Sequence, residues 1–524
     1  MELTRKQFID LAAKGAVGAA AAYSTFDFLG RAEAQQVAAV LGSPEVRKAR
    51  DYVASHREEH IAKVQRDLRQ PSISSWHRGV KEMADLMMQS FRALGCRDIQ
   101  LVPTELPEWP GVLAHYDVGA PKTIVVYFMY DTQPFDESRW SSPPLAANRV
   151  KNFGPFREAI VARGAINSKG ANRFVLNAME SIIAVNGKLP VNVIFTCDGA
   201  EEQGSPNFHS VLDPWRDRLA KANCLMQLGP SQQADGSVSM SLGAKGIMYL
   251  ELEAHGARWG RGPQKMPIHS SRKAVLDSPV WRLVDALRSM YDPAKNEILI
   301  AGFKDDIRPP TGEELEMLEV LTTRFKDRLF GSERENMTVF MHDWTPIEAA
   351  HRLTFDTTFN IDGIWGGYTG PGIATILPEK ATVKIDSRLV PNQESGKQAD
   401  LVRVHLDRHG FSDIELRRLG GGDQWSQTSV KEAVVQATLA MYKEHGIEPM
   451  VWPRSAGSSP QWEFTRKLQL PAAGGALGHG SRAHADDEYI VVDGNDRVAG
   501  IVESEQSMVD LMYAYATWPE KPRG

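Results

Sequence analysis

The sequence predicts an α/β chain: an α/β/α sandwich interrupted by an inserted α+β unit. Three observations carry this. Apolar strand-like runs alternate with helical runs between residues 99 and 228, the pattern of a sheet with helices on both faces. At Gly246 the character changes, and Ile247–Ala254 alternates apolar and polar residues like a half-exposed strand. Glycines at 420–422 and in the stretch 474–480 read as joints where the chain turns back to the first unit.

From Ser43 to about Gly95 apolar residues recur every three or four positions, which predicts helices. Ile99–Val102, Gly111–Tyr116 and Thr123–Tyr130 read as strands. Asn172–Val185 reads as a helix, and Val191–Cys197 and Cys224–Leu228 as further strands. Within the insertion, Ser278–Ser289 has the period of a helix packed on the alternating strand. Asn296–Arg328 carries helix and loop signals around Pro309-Pro310, Ala381–Arg388 alternates again, and Ala399–His409 is helical. The expected division is a leader over 1–34, a main domain from 35–243 and 421–524, and a lid over 244–420.

A chain of 524 residues suggests two to four domains. With 42% hydrophobic and 24% charged residues it is built to fold. The net charge of −6, without long like-charge runs, gives no support for nucleic-acid or membrane-surface partners. Cys96, Cys197 and Cys224 lack metal or redox spacing and read as small apolar side chains.

Thr4-Arg-Lys-Gln-Phe-Ile9 precedes a small-residue run, Leu11 to Ala22, and Ala32-Glu-Ala34 offers an A-x-A cleavage site. This looks like a twin-arginine (Tat) signal peptide with Lys6 in the second arginine position, and it predicts export to the periplasm. The bland alternative is an amphipathic N-terminal helix. The run is too short and interrupted for a bilayer span, and no other segment qualifies.

The chemistry lies at the strand ends, where open α/β sheets bind ligands. Ile124-Val-Val-Tyr-Phe-Met-Tyr-Asp-Thr-Gln-Pro134 is an apolar strand running into a polar turn. Arg163-Gly-Ala-Ile-Asn-Ser-Lys-Gly170 and Cys197-Asp-Gly-Ala-Glu-Glu-Gln-Gly-Ser-Pro206 follow. Then come Arg261-Gly-Pro263 with His269-Ser270, Gly367-Tyr-Thr-Gly-Pro-Gly372 and Asp386-Ser-Arg-Leu-Val-Pro391. Gly457-Ser-Ser-Pro460 and His484-Ala-Asp-Asp-Glu-Tyr-Ile490 close the series. Together, in this order, they resemble the M20 family of zinc aminoacylases, carboxypeptidases and dipeptidases, from about residue 50 to the C-terminus.

That family binds two zinc ions with five protein ligands, and the resemblance implies that three have changed here. Met129 stands where the family has a zinc-binding His, and a thioether is a poor zinc partner. Asn167 stands in place of the bridging Asp. After the strand Asn223–Leu228 an acid is missing, with Gly229 or Gln227 in its place. Glu202 and His484 keep the remaining two ligands. The implied metal set is Glu202, His484 and, weakly, Asn167. That set suits at most one zinc or other divalent ion, and a dinuclear zinc centre is not expected. His479 could substitute for a lost ligand, although a loop histidine is the plainer reading.

The rest of the resemblance implies that chemistry and substrate binding survive. Glu201 matches the family's general base, and Asp131 the Asp that braces the missing His. By itself Glu201-Glu202 is an acidic pair in a loop; the strand Asn192–Thr196 before it and Gly204-Ser-Pro206 after it favour a site. His269 matches a lid histidine that reaches the partner subunit's site and polarises the scissile carbonyl. Arg388 matches a residue gripping a substrate carboxylate, with Gly457 and Ser458 as a backbone clamp. The expectation is therefore an exported, homodimeric amidohydrolase or peptidase acting on an N-acyl amino acid, peptide or amide. Two alternatives accompany it: a non-catalytic M20-like binding protein, and a metal-independent enzyme using Glu201 as base for another reaction.

Overall fold

The main sheet has six strands in the order Asp98–Val102, Gly111–Tyr116, Asn192–Asp198, Thr123–Met129, Cys224–Pro230 and Ala472–Ala476. This computed structural model describes residues 24–330, 337, 339–420 and 422–520. The first two pairings are antiparallel and the remaining three parallel. Alternating side chains serve opposite faces. Val112, Ala114, Val193 and Phe195 pack among helices that include Val80–Leu94, Lys169–Asn186 and Ile501–Thr517. Leu113, Val125, Ile194 and Leu225 pack with Phe208, Val211 and Phe464 on the other side. Both faces are buried, as a sheet rich in parallel pairs requires, and the expected α/β/α sandwich is present.

Register places the functional segments. Thr123–Met129 runs beside Asn192–Asp198 with Met129 opposite Asp198. Ile124 pairs with Cys224 and Val125 with Leu225, so the same offset brings Gly229 level with Met129. A second sheet, of Gly480–Ser481, Tyr489–Asp493, Phe156–Val161 and Asn148–Phe153, ties the turn after Val161 to the loop around His484.

The lid is a four-stranded antiparallel sheet, Asn360–Trp365, Lys380–Leu389, Gly246–His255 and Glu415–Arg418. Helices Pro279–Met290 and Ser395–Arg408 cover it, burying Leu283, Ala286, Val402 and Leu406 on Leu250, Leu252, Val383 and Ile385. The strand carrying Ile247–Ala254 is interior to this sheet; the edges are Asn360–Trp365 and Glu415–Arg418.

Two segments pack across the expected divisions. Helices Gly312–Arg324 and Pro346–Phe355 lie within 244–420, but their apolar faces, Leu318, Leu321, Ala350 and Phe355, pack with Met450 and Trp452 of the main domain. Periodicity predicts that a helix has an apolar face and does not say which surface receives it. Residues 24–34, inside the expected leader, also pack on the main domain. Thr25 is buried and donates to the Pro449 carbonyl at 2.8 Å, while Ser24 Oγ donates to Glu448 at 2.8 Å. The Gly30 N–H reaches Gln436 at 3.0 Å, and helix Arg31–Leu41 buries Val37 and Leu41. Residues 24–34 therefore belong to the folded core, because Ala32-Glu-Ala34 suits the first turn of a helix as well as a cleavage site. The twin-arginine-like residues 4–9 and the run to Ala22 fall outside the described residues. Among the described residues no helix is long and apolar enough to cross a membrane.

Candidate active site

Glu201 and Glu202 sit in a single turn just past strand Asn192–Asp198, at the carboxyl ends of the parallel strands. The turn is pinned from below. Asp131 is fully buried, and its two carboxylate oxygens accept the backbone N–H groups of Glu201 at 3.0 Å and Glu202 at 3.2 Å. Asp131 thus holds the turn that carries Glu201. With Met129 at the neighbouring strand end, there is no histidine there for Asp131 to brace.

Carboxylates crowd this turn. Burial, reinforced by Glu202, Asp131 and Asp198, pushes the Glu201 carboxyl up to about 8. Asp131 is likewise pushed up to about 8, chiefly by burial and then by Asp198. Asp198, beneath them, rises to about 6 through burial. A carboxyl with affinity for a proton near neutrality has the property required of a general base.

Glu202 is satisfied on both oxygens. Asn167 Nδ2 donates to Oε1 at 2.6 Å, and Gln133 Nε2 donates to Oε2 at 2.7 Å. Asn167 Nδ2 also lies 3.0 Å from His484 Nε2, which is 3.2 Å from Glu202 Oε2. Asn167, Glu202 and His484 therefore meet, as the sequence implied. Buried Glu488 fixes the loops around them: it accepts from the backbone N–H of Gly164, Ile166 and Asn167 and pairs with Arg163 at 2.8 Å.

The other half of the family's metal centre has no ligands. Met129 ends its strand with a buried thioether side chain. Register resolves the choice between Gln227 and Gly229 in favour of Gly229, and a Cβ built there would meet nothing within 4 Å. His479 is no substitute: it is buried, with Nδ1 2.8 Å from the Gln232 carbonyl and Nε2 3.0 Å from the Tyr489 hydroxyl. Among the described residues, no group of three or more His, Cys, Asp or Glu could hold a metal ion. These residues do not fit a dinuclear centre. For a single ion they offer one carboxylate, one imidazole and an amide that presents its N–H to them.

At the lid strand Lys380–Leu389, Arg388 Nη1 donates to Ser458 Oγ at 3.3 Å, and its Nε lies 3.5 Å from Asp386. The Gly457 carbonyl accepts the Lys245 N–H at 3.0 Å. Arg388, Gly457 and Ser458 thus form one junction between lid and main domain. Asp423, which accepts from Trp462 Nε1 at 3.1 Å, acts electrostatically on both Arg388 and Glu201 and links this junction to the base. His269 is elsewhere. It is exposed, with Nδ1 2.9 Å from Ser271 Oγ and Nε2 3.1 Å from Thr375 Oγ1.

Gln133, Glu488 and Asp423 were not singled out by sequence reasoning. Gln133 stands two residues after Asp131, and Glu488 four after His484 inside a quoted motif, so both were in view without a role. Asp423 carries no local signal.

Known proteins resemble this chain over most of its length. The family model described as peptidase family M20/M25/M40 matches residues 126–504. A Cys-Gly metallodipeptidase of Schizosaccharomyces pombe is 25% identical over 474 residues, covering 85% of this chain and 94% of its own. The human Beta-Ala-His dipeptidase is 24% identical over 434 residues, 77% of this chain and 80% of its own. Among solved structures, an M20 family metallo-carboxypeptidase from Sulfolobus solfataricus superposes with a TM-score of 0.75 at 30% identity, over 88% of this chain and 99% of that one.

Proposed function

The chain belongs to peptidase family M20/M25/M40, and on that premise we propose that it hydrolyses an amide or peptide bond next to a substrate carboxylate. Its relatives are named as dipeptidases and a carboxypeptidase, so dipeptides and N-acyl amino acids are the proposed substrates. The observation that carries this reading is the Glu201 turn: a carboxyl of raised proton affinity, held by Asp131, with Asp423 acting electrostatically on both Glu201 and Arg388. Glu201 takes the proton of the attacking water. Arg388, with Ser458 and Gly457 beside it, grips the carboxylate, a task matched by a planar guanidinium.

Relatives with metallodipeptidase names employ a metal; here the donors support at most one divalent ion, weakly held on Glu202 and His484. The test is a panel of dipeptides and N-acyl amino acids beside the same amides lacking a carboxylate. The proposal expects turnover of the former and little of the latter. Binding of the panel without any turnover would instead favour the non-catalytic alternative, and equal turnover of both sets would remove Arg388 from its role.

We also propose a C₂ homodimer in which His269 completes the partner's site. Two features support this: His269 is exposed with its ring nitrogens beside Ser271 and Thr375, and edge strand Asn360–Trp365 exposes Ile361, Ile364 and Trp365, a row suited to pairing with a second copy. Mixing inactive His269→Ala and Glu201→Gln chains should restore about a quarter of the sites if subunits exchange randomly. Proven heterodimers without rescue would contradict it.

Finally, we propose export to the periplasm with processing ahead of Ser24, at Ala20-Ala-Ala22, since cleavage after Ala34 would remove Thr25 from the core. The intact mass of periplasmic protein decides this. An N-terminus at Gln35 contradicts the site, and unprocessed protein confined to the cytoplasm contradicts export.

A further inference from the structure

We infer that the side-chain amide of Asn167 occupies the place of the remaining metal ion, making this chain a metal-independent member of its family. This rests on the site reading above and goes beyond its limit of one weak ion.

Three observations support it. First, Asn167 Nδ2 stands 2.6 Å from Glu202 Oε1 and 3.0 Å from His484 Nε2. Those are the two donor atoms that an ion would need at about 2.0–2.1 Å. The amide nitrogen faces both, so an ion can enter only if the amide turns away and gives up these contacts. Turning it over would also set Oδ1 against the Glu202 carboxylate.

Second, Glu202 does not need an ion to be satisfied. Asn167 donates to one oxygen and Gln133 to the other, and a buried carboxylate with donors on both oxygens is already compensated. An incoming cation on Glu202 Oε1 and His484 would have to displace the charge-assisted hydrogen bond from Asn167.

Third, the Asn167 backbone is not free to retreat. Its N–H, with those of Ile166 and Gly164, is bound by Glu488, which is itself paired with buried Arg163. The frame that would hold a bridging carboxylate in a metal enzyme here holds a hydrogen-bond donor. The neighbouring position tells the same story, for the space beside Gly229 is open and Met129 offers only sulfur.

The test needs no substrate. The full-length protein is incubated with excess zinc, desalted, and measured for metal per chain and for thermal midpoint with zinc and with EDTA. The wild type should keep well below one ion per chain, and neither addition should shift its midpoint. Asn167→Asp should lower the midpoint in EDTA, because two carboxylates then face each other, and zinc should raise it again by mass action. Adding Met129→His and Gly229→Asp should increase the bound metal towards two ions. A wild type that retains an ion after desalting, or whose midpoint falls in EDTA, overturns the inference. If the triple variant does not fold, the wild type and Asn167→Asp still decide it. Hydrolysis of the dipeptide panel is read separately, so loss of the proposed activity and loss of this inference are distinguishable.

Discussion

Three neighbouring strand ends carry the candidate site, and they differ in what they offer it. The turn after Asn192–Asp198 keeps both glutamates, anchored by Asp131 through backbone N–H groups. The ends of Thr123–Met129 and Cys224–Pro230 carry a thioether and a glycine, with open space beside the glycine. On the proposed reading, placing a base and ligating a cation are separable tasks. The Glu201 turn is held by hydrogen bonds to Asp131 that do not depend on an ion.

The largest effect should come from the retained side. Glu201→Gln removes the proton acceptor while keeping size, and a positioned base contributes about 10²–10⁴-fold. Turnover on the dipeptide panel should fall by that much with binding intact. Undiminished turnover would place the chemistry elsewhere.

Arg388→Gln should cost less, roughly tenfold to hundredfold in kcat/KM, as expected for one charged hydrogen-bonding group of about 1.5–3 kcal/mol. The loss should appear mainly in KM and only for substrates that bear the carboxylate.

Acidity sharpens the contrast further. Glu201 and Asp131 rise from 4.5 and 3.8 to about 8, so the folded chain keeps protons that the unfolded chain has released. Their contribution to stability is complete below the unfolded values and disappears as pH climbs through about 8. Thermal midpoints should therefore fall as pH rises from about 5 to 9, and Glu201→Gln should flatten that slope. Activity should move the opposite way, increasing towards pH 8 as the base ionises. A wild-type midpoint insensitive to pH over that range would contradict the crowding of carboxylates.

The smallest effect belongs to the vacated side. Met129→Leu conserves volume and should cost less than about 1.5 kcal/mol in a denaturation midpoint, with turnover nearly unchanged. A collapse of activity would show that the sulfur takes part.

Much of this was legible in the sequence. The alternation of strands and helices, the inserted lid, and the substitutions at Met129 and Asn167 could all be read directly. Whether Gln227 or Gly229 replaced the lost acid needed strand register. The use of Asp131 as an anchor for Glu201, and of Gln133 and Asn167 as donors to Glu202, depends on contacts between segments 35 to 71 residues apart. Motif spacing carries no information about those. The docking of helices Gly312–Arg324 and Pro346–Phe355 on the main domain was hidden likewise, because an apolar helix face does not name its partner. His479 shows the converse: its chemistry invited a ligand role, and two hydrogen bonds assign it to the core.

The central claim is that the base works without a cation. It is tested most directly by turnover of the preferred dipeptide after exhaustive chelation and desalting, with residual metal quantified in the same sample. The account predicts that the rate is unchanged, that added zinc does not increase it, and that Glu201→Gln abolishes it under the same conditions. A rate that vanishes with the metal and returns in proportion to zinc added would contradict it.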